Sequence, residues 1–366
     1  MLLAANLPIR FVIVIPALVV ESPVRGACAL ANELSKHFDV TVVSLKGGEA
    51  HWLLDAGVDY INLGPSKSPL MYALAYKKFI TSVSLNFSLI SISFCFSADF
   101  VNFLTKNNNI RISSIRGDLS SVYRSKFGIL GKSLAWLQYK MISGLDFALI
   151  MTEDMRKKTI SDGLTCDIYH MPNFLDEKRV VQYRQPLAER KSFRFVFVGS
   201  LISLKKPDVF IKAGLELALL HKNVELILVG AGPLENDLKK LVESLGGEDI
   251  VSFLGFVESP LEVVSTSDIL VLPSLTEGVS RAVMEALFLG VPCIMRNIPG
   301  ARDLIVPGVN GALFNNDDDL VDTMSSFLKN EYKQNRYESL LPLPFSQKKS
   351  VEGLLSLLNL NEGKND

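Results

Sequence analysis

The chain alternates between short apolar runs and longer segments in which apolar and polar residues mix. In its first half, the apolar runs at residues 10–16 and 39–45 predict strands, and residues 25–37 between them predict a helix. Nearly continuous apolar strands separated by helices are typical of parallel sheets that are covered on both faces. The pattern therefore predicts an α/β fold.

The second half repeats this alternation. Its predicted strands cover residues 193–199, 224–230, 250–253, 269–273 and 292–295, and its predicted helices include residues 207–221 and 234–245. Ligands of such sheets bind beyond the carboxyl ends of the strands, so two facing domains would hold a ligand in the cleft between them. The pattern thus predicts two Rossmann-like domains with a cleft between them.

The domain boundaries follow from composition. The polar stretch at 176–191 is typical of a linker, which gives an N-terminal Rossmann-like domain at 1–180 and a C-terminal Rossmann-like domain at 181–345. Residues 346–366 are predicted to form a C-terminal helix and tail, with a return of the helix to the first domain as one alternative. We expect the polar tail at 361–366 to fray.

Two apolar stretches raise the question of membrane or export signals. Residues 11–20 contain Pro16 and lack a small-residue cleavage pattern, which favours a buried first strand over a secretory signal. Residues 79–98 carry no charge and are long enough to span a bilayer, but eight of them are Ser, Thr or Asn. Because the second half of this stretch partly alternates, we predict a helix followed by a buried strand, with a transmembrane helix as the alternative.

Composition narrows the class of protein. The 366 residues exceed one ordinary core of about 150 residues, and 38 Lys+Arg against 39 Asp+Glu give a net charge of −1. A nucleic-acid binder would usually carry a large basic excess, so we expect no nucleic-acid partner. The four cysteines and four histidines are scattered, which argues against a disulfide scaffold or a metal cluster and predicts a cytoplasmic protein. The consecutive acids at 317–319 are predicted to be solvated rather than metal-binding.

One segment is strongly basic. Residues 101–145 contain seven Lys or Arg and one Asp, a balance of 7 − 1 = +6. The cations Arg124, Lys126, Lys132 and Lys140 interleave with the apolar residues Phe127, Ile129, Leu130, Leu134, Trp136, Leu137, Met141 and Ile142. Such a mixture can dock on an anionic membrane surface, which would place the protein peripherally on the inner face of the cytoplasmic membrane. An ordinary amphipathic helix with its apolar face in the core remains the alternative.

A candidate phosphate site follows the predicted strand at 193–199. Gly199 ends the strand, Ser200 begins a short loop, and Lys205 and Lys206 precede Pro207, which suits a first helical residue. Cations beside a helix N-terminus predict a diphosphate site, because backbone N–H groups and side-chain charge then point the same way. A solvated lysine pair is the alternative.

Two further turns follow the next strands. Gly230-Ala-Gly-Pro resembles a dinucleotide-binding turn without its third glycine, so it serves equally well as a tight strand-to-helix turn. Phe256 and Val257 follow another strand and offer an exposed aromatic edge that suits a nucleobase.

The strongest signal is a pair of acids, Glu277 and Glu285, eight positions apart. The first is predicted in a glycine-containing loop and the second in the following helix, about two helical turns deeper on the same face. A carboxylate accepts hydrogen bonds from adjacent hydroxyls, which a ribose or hexose presents. The pair therefore predicts a site for the diol of a ribose or hexose, with a solvated surface Glu as the alternative.

These motifs together resemble the retaining glycosyltransferases of family 4, which have the two-domain GT-B fold. The matching motifs spread over residues 195–314 and include Val198-Gly199 with Lys205, the Gly230 turn, residues 253–256, residues 268–274, the two Glu and residues 308–313. The first half matches through Arg25-Gly26 before a helix, Arg116-Gly117 after a strand, and residues 171–173.

The resemblance implies transfer of a sugar from a UDP-linked donor to a glycan or polyprenyl-linked acceptor, in bacterial O-antigen, capsule or exopolysaccharide synthesis. It implies retention of anomeric configuration and no obligatory metal or other cofactor. The catalytic residues would be Lys205, Glu277 and Arg281. The donor-binding residues would be Gly199, Ser200, Lys206, Gly230, Phe256, Val257, Gly278, Val279, Ser280 and Glu285, and the acceptor side would present Arg25, Gly26, Arg116 and Gly117.

Three positions depart from the family pattern. Ser200 stands where the family commonly has an Arg that grips the diphosphate, Arg25-Gly26 replaces a Gly pair, and Arg116 replaces a frequent His. Arg281, close to the N-terminus of the helix with Glu285, is the candidate for the missing cation. A nucleotide-sugar 2-epimerase and a non-catalytic sugar-nucleotide-binding subunit are the rival interpretations. A dehydrogenase is disfavoured because no complete G-x-G-x-x-G follows a strand.

Overall fold

The computed structural model describes residues 7–64, 68–106, 109–186, 191–329 and 336–360. The chain divides into two compact units, of which the first combines Met1–Asp176 with Pro344–Asp366 and the second spans Glu177–Leu343. The tail at 361–366 lies outside the described residues.

The first unit is built on seven parallel strands. They are β1 (Ile9–Ile15), β2 (Asp39–Ser44), β3 (Val58–Asn62), β4 (Ser88–Phe94), β5 (Ile110–Ile115), β6 (Phe147–Ile150) and β7 (Asp167–His170). Their order in the sheet is β3-β2-β1-β4-β5-β6-β7. All seven residues of β4 are buried, which accounts for a run without a single charged side chain.

The helices of the first unit follow its strands. They are α1 (Ser22–Leu34), α2 (Pro69–Val83), α3 (Phe96–Leu104), α4 (Leu119–Phe127), α5 (Leu130–Ile142) and α6 (Glu153–Ser161), with a 3₁₀ turn at His51–Leu53. Pro23 and Pro69 lie in the first turns of α1 and α2, where a missing N–H costs no hydrogen bond.

The stretch at 79–98 is divided among α2, β4 and α3, so the predicted helix followed by a buried strand is confirmed. Among the described residues, no helix combines the length and the apolar character that crossing a membrane requires. Two of the serines that dilute this stretch have buried partners. Ser91 donates to Asn102 Oδ1 at 2.8 Å and Ser93 donates to Asp99 Oδ1 at 2.7 Å.

The basic segment has an exposed face with apolar and cationic side chains and a second apolar face that is buried in the core. Its exposed side is the α4–α5 surface, which consists of Val122, Phe127, Ile129, Leu130, Trp136 and Leu137 together with the exposed cations Arg124, Lys132 and Lys140. Met141 and Ile142 are buried, so their predicted place on the membrane-facing side is wrong and they belong to the core. The side chain of Lys126 is outside the described part of the structure.

The second unit is built on six parallel strands. They are β8 (Phe193–Val198), β9 (Val224–Val229), β10 (Val251–Gly255), β11 (Ile269–Leu272), β12 (Cys293–Arg296) and β13 (Gly311–Phe314), in the order β10-β9-β8-β11-β12-β13. Its helices are α7 (Glu177–Val181), α8 (Pro207–Leu220), α9 (Glu235–Ser244), α10 (Leu261–Ser265), α11 (Arg281–Phe288), α12 (Pro299–Arg302) and α13 (Asp319–Lys329), with a 3₁₀ turn at Ser203–Lys205. A further 3₁₀ turn at Leu343–Phe345 lies where the chain returns to the first unit. Two parallel-sheet, Rossmann-like units confirm the predicted fold class.

One segment differs from the sequence prediction, and a second follows one of the predicted alternatives. The stretch predicted as a linker begins with α7, whose Val180 is buried, and Arg184 just beyond it donates to the carbonyl oxygens of Phe288 and Tyr337. The last helix, α14 (Gln347–Leu357), belongs to the first unit, where Gln347 Nε2 donates to Ala29 O of α1 at 3.0 Å. Its apolar face joins the core cluster around β1 and α1.

The strand order of the second unit marks a ligand site. Chain order runs outward from β8 through β9 and β10 on one side, and from β11 through β13 on the other. The loops after β8 and β11 therefore diverge at the carboxyl edge of the sheet. Ligands of open parallel sheets bind at this reversal, the topological switch point.

Candidate active site

The loop after β8 is shaped by an unusual residue. Gly199 and Ser200 follow the strand, Ser203–Lys205 form a 3₁₀ turn, and Lys206 adopts a left-handed conformation with φ 52°. Pro207 is then the first residue of α8, as predicted. A positive φ is uncommon outside glycine, and here it turns the two adjacent lysines toward different partners.

Lys205 meets Glu277 across the switch point. Lys205 Nζ donates to Glu277 Oε1, and the two side chains are 25% and 9% exposed. A backbone hydrogen bond of 2.9 Å from Leu275 N to Leu204 O joins the same two loops. The structure therefore brings together two of the three residues predicted to be catalytic, from positions 72 residues apart in the chain.

Lys206 belongs to a separate charged cluster. Its Nζ lies 3.7 Å from Asp208 Oδ2 and 3.7 Å from Asp317 Oδ2, and Arg296 donates to Asp317 Oδ1. Desolvation raises the pKa of the Asp317 carboxyl, but the hydrogen bond and charge of Arg296 with those of Lys206 outweigh it and lower the pKa below its ordinary value.

As predicted, the acids at 317–319 are open to solvent, with Asp317 and Asp318 exposed and Asp319 partly exposed, but two of them also have partners. Asp317 is paired, and Asp319 Oδ2 accepts the N–H groups of Asn315 and Asn316 at 3.2 and 3.0 Å. Across the residues that the structure describes, no group of three or more His, Cys, Asp or Glu side chains is placed to hold a metal ion.

The loop after β11 leads into α11. Gly278 is partly exposed, Val279 and Ser280 are 7% exposed, and Arg281 is the first helical residue. Glu285 is 2% exposed. Between Glu277 and Glu285 the chain is helical only from Arg281 onward, so the prediction that about two helical turns separate the two acids is wrong. The N–H groups of a first helical turn lack intrahelical partners, and those of α11 follow directly on the loop with Glu277.

The glycine turn after β9 is required by close packing. Gly230 has φ 140°, and a Cβ placed on it would lie 2.0 Å from Gly199 O. A Cβ on Gly232 would lie 2.4 Å from Leu201 O. The tight-turn alternative thus has a structural cause, namely the approach of this turn to the loop after β8.

A second close approach was not predicted from the sequence. A Cβ on Gly300, in α12, would lie 1.6 Å from Gly278 O, so the loop after β11 rests on a glycine at the start of the next helix. The dipeptide Pro299-Gly300 after β12 is the signal that marks it. Phe256, by contrast, is 74% exposed beyond β10, as predicted, and Val257 is partly exposed.

In the first unit, Arg116 follows β5 as predicted and is held in place from three sides. Its Nε donates to Ser114 Oγ at 2.8 Å, its Nη1 donates to Asn173 Oδ1 at 3.1 Å, and its guanidinium lies 5.2 Å from the Phe94 ring centroid. Asn173 is buried, and it was not among the predicted site residues. Gly117 next to Arg116 borders open space.

Arg25 and Gly26 lie inside α1, not before it. The helix begins three residues earlier than predicted because Pro23 fits its first turn and Val24 is already buried. Gly26 is buried and Arg25 is partly exposed. The assignment of these two residues to the acceptor side stays a prediction.

The second unit is similar to known proteins. Residues 181–339 match the family model of the glycosyl transferases group 1. An Escherichia coli protein named UDP-Gal:alpha-D-GlcNAc-diphosphoundecaprenol alpha-1,3-galactosyltransferase is 36% identical over 129 residues, which are 34% of this chain and 33% of the relative. The family match thus covers the switch-point loops, Lys205, Glu277 and Glu285.

A longer match extends into the first unit. A Campylobacter jejuni protein named GalNAc-alpha-(1->4)-GalNAc-alpha-(1->3)-diNAcBac-PP-undecaprenol alpha-1,4-N-acetyl-D-galactosaminyltransferase is 25% identical over 306 residues, 81% of this chain and 82% of that protein. With several other curated relatives the match is shorter, and the chain spans between 33% and 53% of their length.

Among solved structures, the crystal structure of Anabaena HepE in complex with UDP and glucose is similar, with a TM-score of 0.74 and 16% identity. The match covers 97% of this chain and 100% of that one. This likeness shows the GT-B fold. The family match places a glycosyl transferases group 1 domain in the second unit, at residues 181–339.

Proposed function

We propose that the protein is a retaining glycosyltransferase that moves a sugar from a UDP-linked donor to a polyprenyl-linked glycan during assembly of a bacterial surface polysaccharide. The observation that carries the proposal is the Lys205–Glu277 pair at the switch point of the second unit. The relatives support the substrate classes, because the two named above act on diphosphoundecaprenol-linked or PP-undecaprenol-linked acceptors and the HepE crystals hold UDP. Retention rests on the family resemblance.

In this proposal Lys205 stabilises the leaving group. Breaking the bond between the anomeric carbon and phosphate places negative charge on the departing diphosphate, and the Lys205 ammonium lies at the sheet edge where that group would sit. The low exposure of Glu277 and its bond to Lys205 fix the ammonium before the reaction begins. A prepositioned donor of this kind contributes about 2.7–4 kcal/mol, by analogy with an oxyanion-hole donor.

The remaining donor contacts are assigned by position. Glu277 and the N–H groups of Gly278 to Ser280, at the start of α11, would bind the donor sugar and phosphate. Glu285 would accept hydrogen bonds from the ribose. Because the positive charge comes from Lys205, Arg281 and a helix N-terminus, we propose that no divalent metal is needed.

The acceptor would be reached at a membrane. The α4–α5 surface combines exposed apolar side chains with three exposed cations, and Lys140 Nζ lies 5.8 Å from the centroid of the Trp136 ring. Apolar and cationic groups on one face match a bilayer with anionic headgroups. We therefore propose peripheral attachment to the inner face of the cytoplasmic membrane.

The test measures UDP release from a panel of UDP-sugars, with and without a polyprenyl-linked glycan. For a transferase, UDP release should depend on the concentration of added acceptor. NMR of the product should show that the anomeric configuration of the donor sugar is preserved. Lys205→Ala should lower turnover by about 10²–10³. The matched control is Lys239→Ala, which removes a lysine from an exposed pair with Glu235 on α9 and should leave turnover unchanged.

Other outcomes would overturn the proposal. Conversion of the nucleotide-sugar without any acceptor would indicate an epimerase, and binding without turnover would indicate a non-catalytic subunit. Turnover by Lys205→Ala at the rate of the parent would remove the role assigned to the ion pair. Complete, Mg²⁺-reversible inhibition by EDTA would contradict metal independence.

A further inference from the structure

The first unit contains a cavity of about 560 Å³ at the carboxyl edge of its sheet. Its walls come from the segment after β2, the start of α2, α3 and α5, and they include Tyr72, Phe96, Phe100, Leu137 and Met141. Apart from Tyr72, Lys46, Ser68 and Ser97, every lining side chain is apolar. The volume lies within the roughly 300–1,000 Å³ of small-molecule sites, and the lining suits a hydrocarbon rather than a sugar.

This cavity is continuous with the α4–α5 surface. Leu137 lines it and is also 45% exposed on that surface, next to Trp136. The rings of Phe96, which lines the cavity, and Tyr123 are 6.5 Å apart, and those of Tyr123 and Phe127 are 6.1 Å apart. An aromatic path thus leads from the cavity to the exposed Phe127.

Cations lie around the cavity. Lys46 lines it and is exposed. Lys140 lies on the same side of α5 as Leu137, since residues three apart share a helix face. The same sheet edge therefore combines an apolar cavity with positive charge. A lipid with a hydrocarbon chain and an anionic headgroup requires these two features.

We propose that this cavity takes the isoprenoid chain of the lipid-linked acceptor next to its diphosphate. The inference rests on the proposed function and deepens it, since it assigns the lipid part of the acceptor to the first unit. The branched, flexible isoprenoid chain contacts the aromatic walls, and the diphosphate lies among the cations. The α4–α5 surface keeps the mouth of the cavity at the depth of the bilayer from which the chain enters.

The test uses geranylgeranyl diphosphate as a soluble probe and measures its binding to the full chain by calorimetry, with no donor present. Leu137→Glu places a charge at the mouth, where the side chain is already 45% exposed, so the fold tolerates it. Ser97→Trp fills the cavity from a partly exposed position of α3. Each should weaken binding about tenfold or more, the loss expected when roughly two buried methylene groups leave their contacts.

The matched control is Leu85→Glu, which makes the same substitution at a residue of the first unit that is 76% exposed, does not line the cavity and lies outside the α4–α5 surface. It should bind the probe as the parent does. Equal weakening by Leu85→Glu and Leu137→Glu, or parent-like binding by both cavity variants, would overturn the proposal. Palmitate or inorganic diphosphate binding as tightly as the probe would also overturn it, because neither combines an isoprenoid chain with a diphosphate.

The proposed function is tested separately by transfer to a glycan on a short alkyl chain. If the parent and both cavity variants transfer to it equally, while only the variants show a raised KM for the polyprenyl-linked acceptor, the cavity assignment is supported. A parent that binds geranylgeranyl diphosphate but transfers to neither acceptor would refute the proposed function and not the lipid site.

Discussion

Replacing Asp99 by Asn should stabilise the first unit at neutral pH. Asp99 lies on α3 at 2% exposure, and its Oδ1 accepts the hydroxyls of Ser93 and Ser113 at 2.7 and 2.8 Å. Its Oδ2 accepts Gln138 Nε2 at 2.7 Å, and Gln138 Oε1 accepts the Tyr123 hydroxyl at 2.6 Å. This network ties α3, α4 and α5 to the centre of the sheet.

Burial destabilises the charged form of the Asp99 carboxyl. Desolvation raises the pKa of Asp99 from 3.8 to about 6, against the opposing effect of its hydrogen bonds from Ser93, Gln138 and Ser113. Between about pH 4 and pH 6 the folded state keeps a proton that the unfolded chain has released. The free energy of unfolding therefore falls as the pH rises through this window and is constant above it. The loss corresponds to about 3 kcal/mol.

An amide avoids this cost and can keep the network. If the oxygen of the new amide at position 99 accepts both serine hydroxyls, its NH₂ group donates to Gln138 after the Gln amide turns over. Gln138 then donates to the Tyr123 hydroxyl. Asp99→Asn should therefore raise the free energy of unfolding at pH 7 by up to about 3 kcal/mol and flatten its dependence between about pH 4 and pH 6.

The assay is urea unfolding at several pH values, followed by tryptophan fluorescence. Both tryptophans of the chain, Trp52 and Trp136, belong to the first unit, so the signal reports on that unit. The exposed Asp167→Asn serves as control and should change stability by less than about 0.5 kcal/mol. If Asp99→Asn is less stable than the parent at pH 7, or keeps the parent's pH dependence, the reasoning about the buried charge is refuted.

Three further predictions concern the second unit and the membrane. Glu285→Ala should weaken UDP binding about tenfold, measured by calorimetry, because the buried carboxylate is proposed to contact the ribose. The control Glu243→Ala, on the exposed face of α9, should bind UDP as the parent does. Equal UDP affinities of the two variants would contradict a ribose contact. Gly230→Ala should cost about 2–5 kcal/mol in calorimetric unfolding, because its Cβ meets backbone at 2.0 Å. Gly246→Ala, with φ 64° and open space, should cost only about 1–2 kcal/mol, and equal losses would remove the packing argument. High salt should release the protein from anionic vesicles. Each cation near the membrane surface contributes about 1 kcal/mol to binding, and at physiological salt this attraction is screened beyond about 8 Å. Retention of the protein until detergent is added would contradict peripheral attachment.

The fold was predictable because its signal is local. A strand buried on both faces must be apolar along its length, and the runs at β1, β8, β9 and β11 have that character. The errors lie where packing decides the outcome. α1 starts at Ser22 because Val24 is buried, and α7 forms in a polar stretch because Val180 is buried. Composition alone does not distinguish such segments from loops.

The residues of the candidate site were predictable from the sequence, but the contacts between their side chains were not. Lys205, Glu277, Gly230 and Glu285 each stand out by residue type after a predicted strand. That Lys205 contacts Glu277 depends on β8 and β11 being neighbours, which follows from topology and not from spacing. Asn173 and Gly300 act through their contacts with Arg116 and Gly278. A local motif marks each position, at residues 171–173 and at Pro299-Gly300, but it does not predict the contact.

The left-handed conformation of Lys206 determines how much positive charge the loop after β8 brings to the switch point. In the sequence the two lysines form one cationic pair, but φ 52° at Lys206 directs its side chain to Asp208 and Asp317, away from the partner of Lys205. Such a conformation costs about 1–3 kcal/mol outside glycine and persists where surrounding contacts hold it. Within residues 199–206, all of which the structure describes, Lys205 is therefore the cation beside Glu277. With an exposed Ser200 next to Gly199, a second cation for the proposed diphosphate would come from another element, and Arg281 at the first position of α11 is placed at the end of the same loop that carries Glu277.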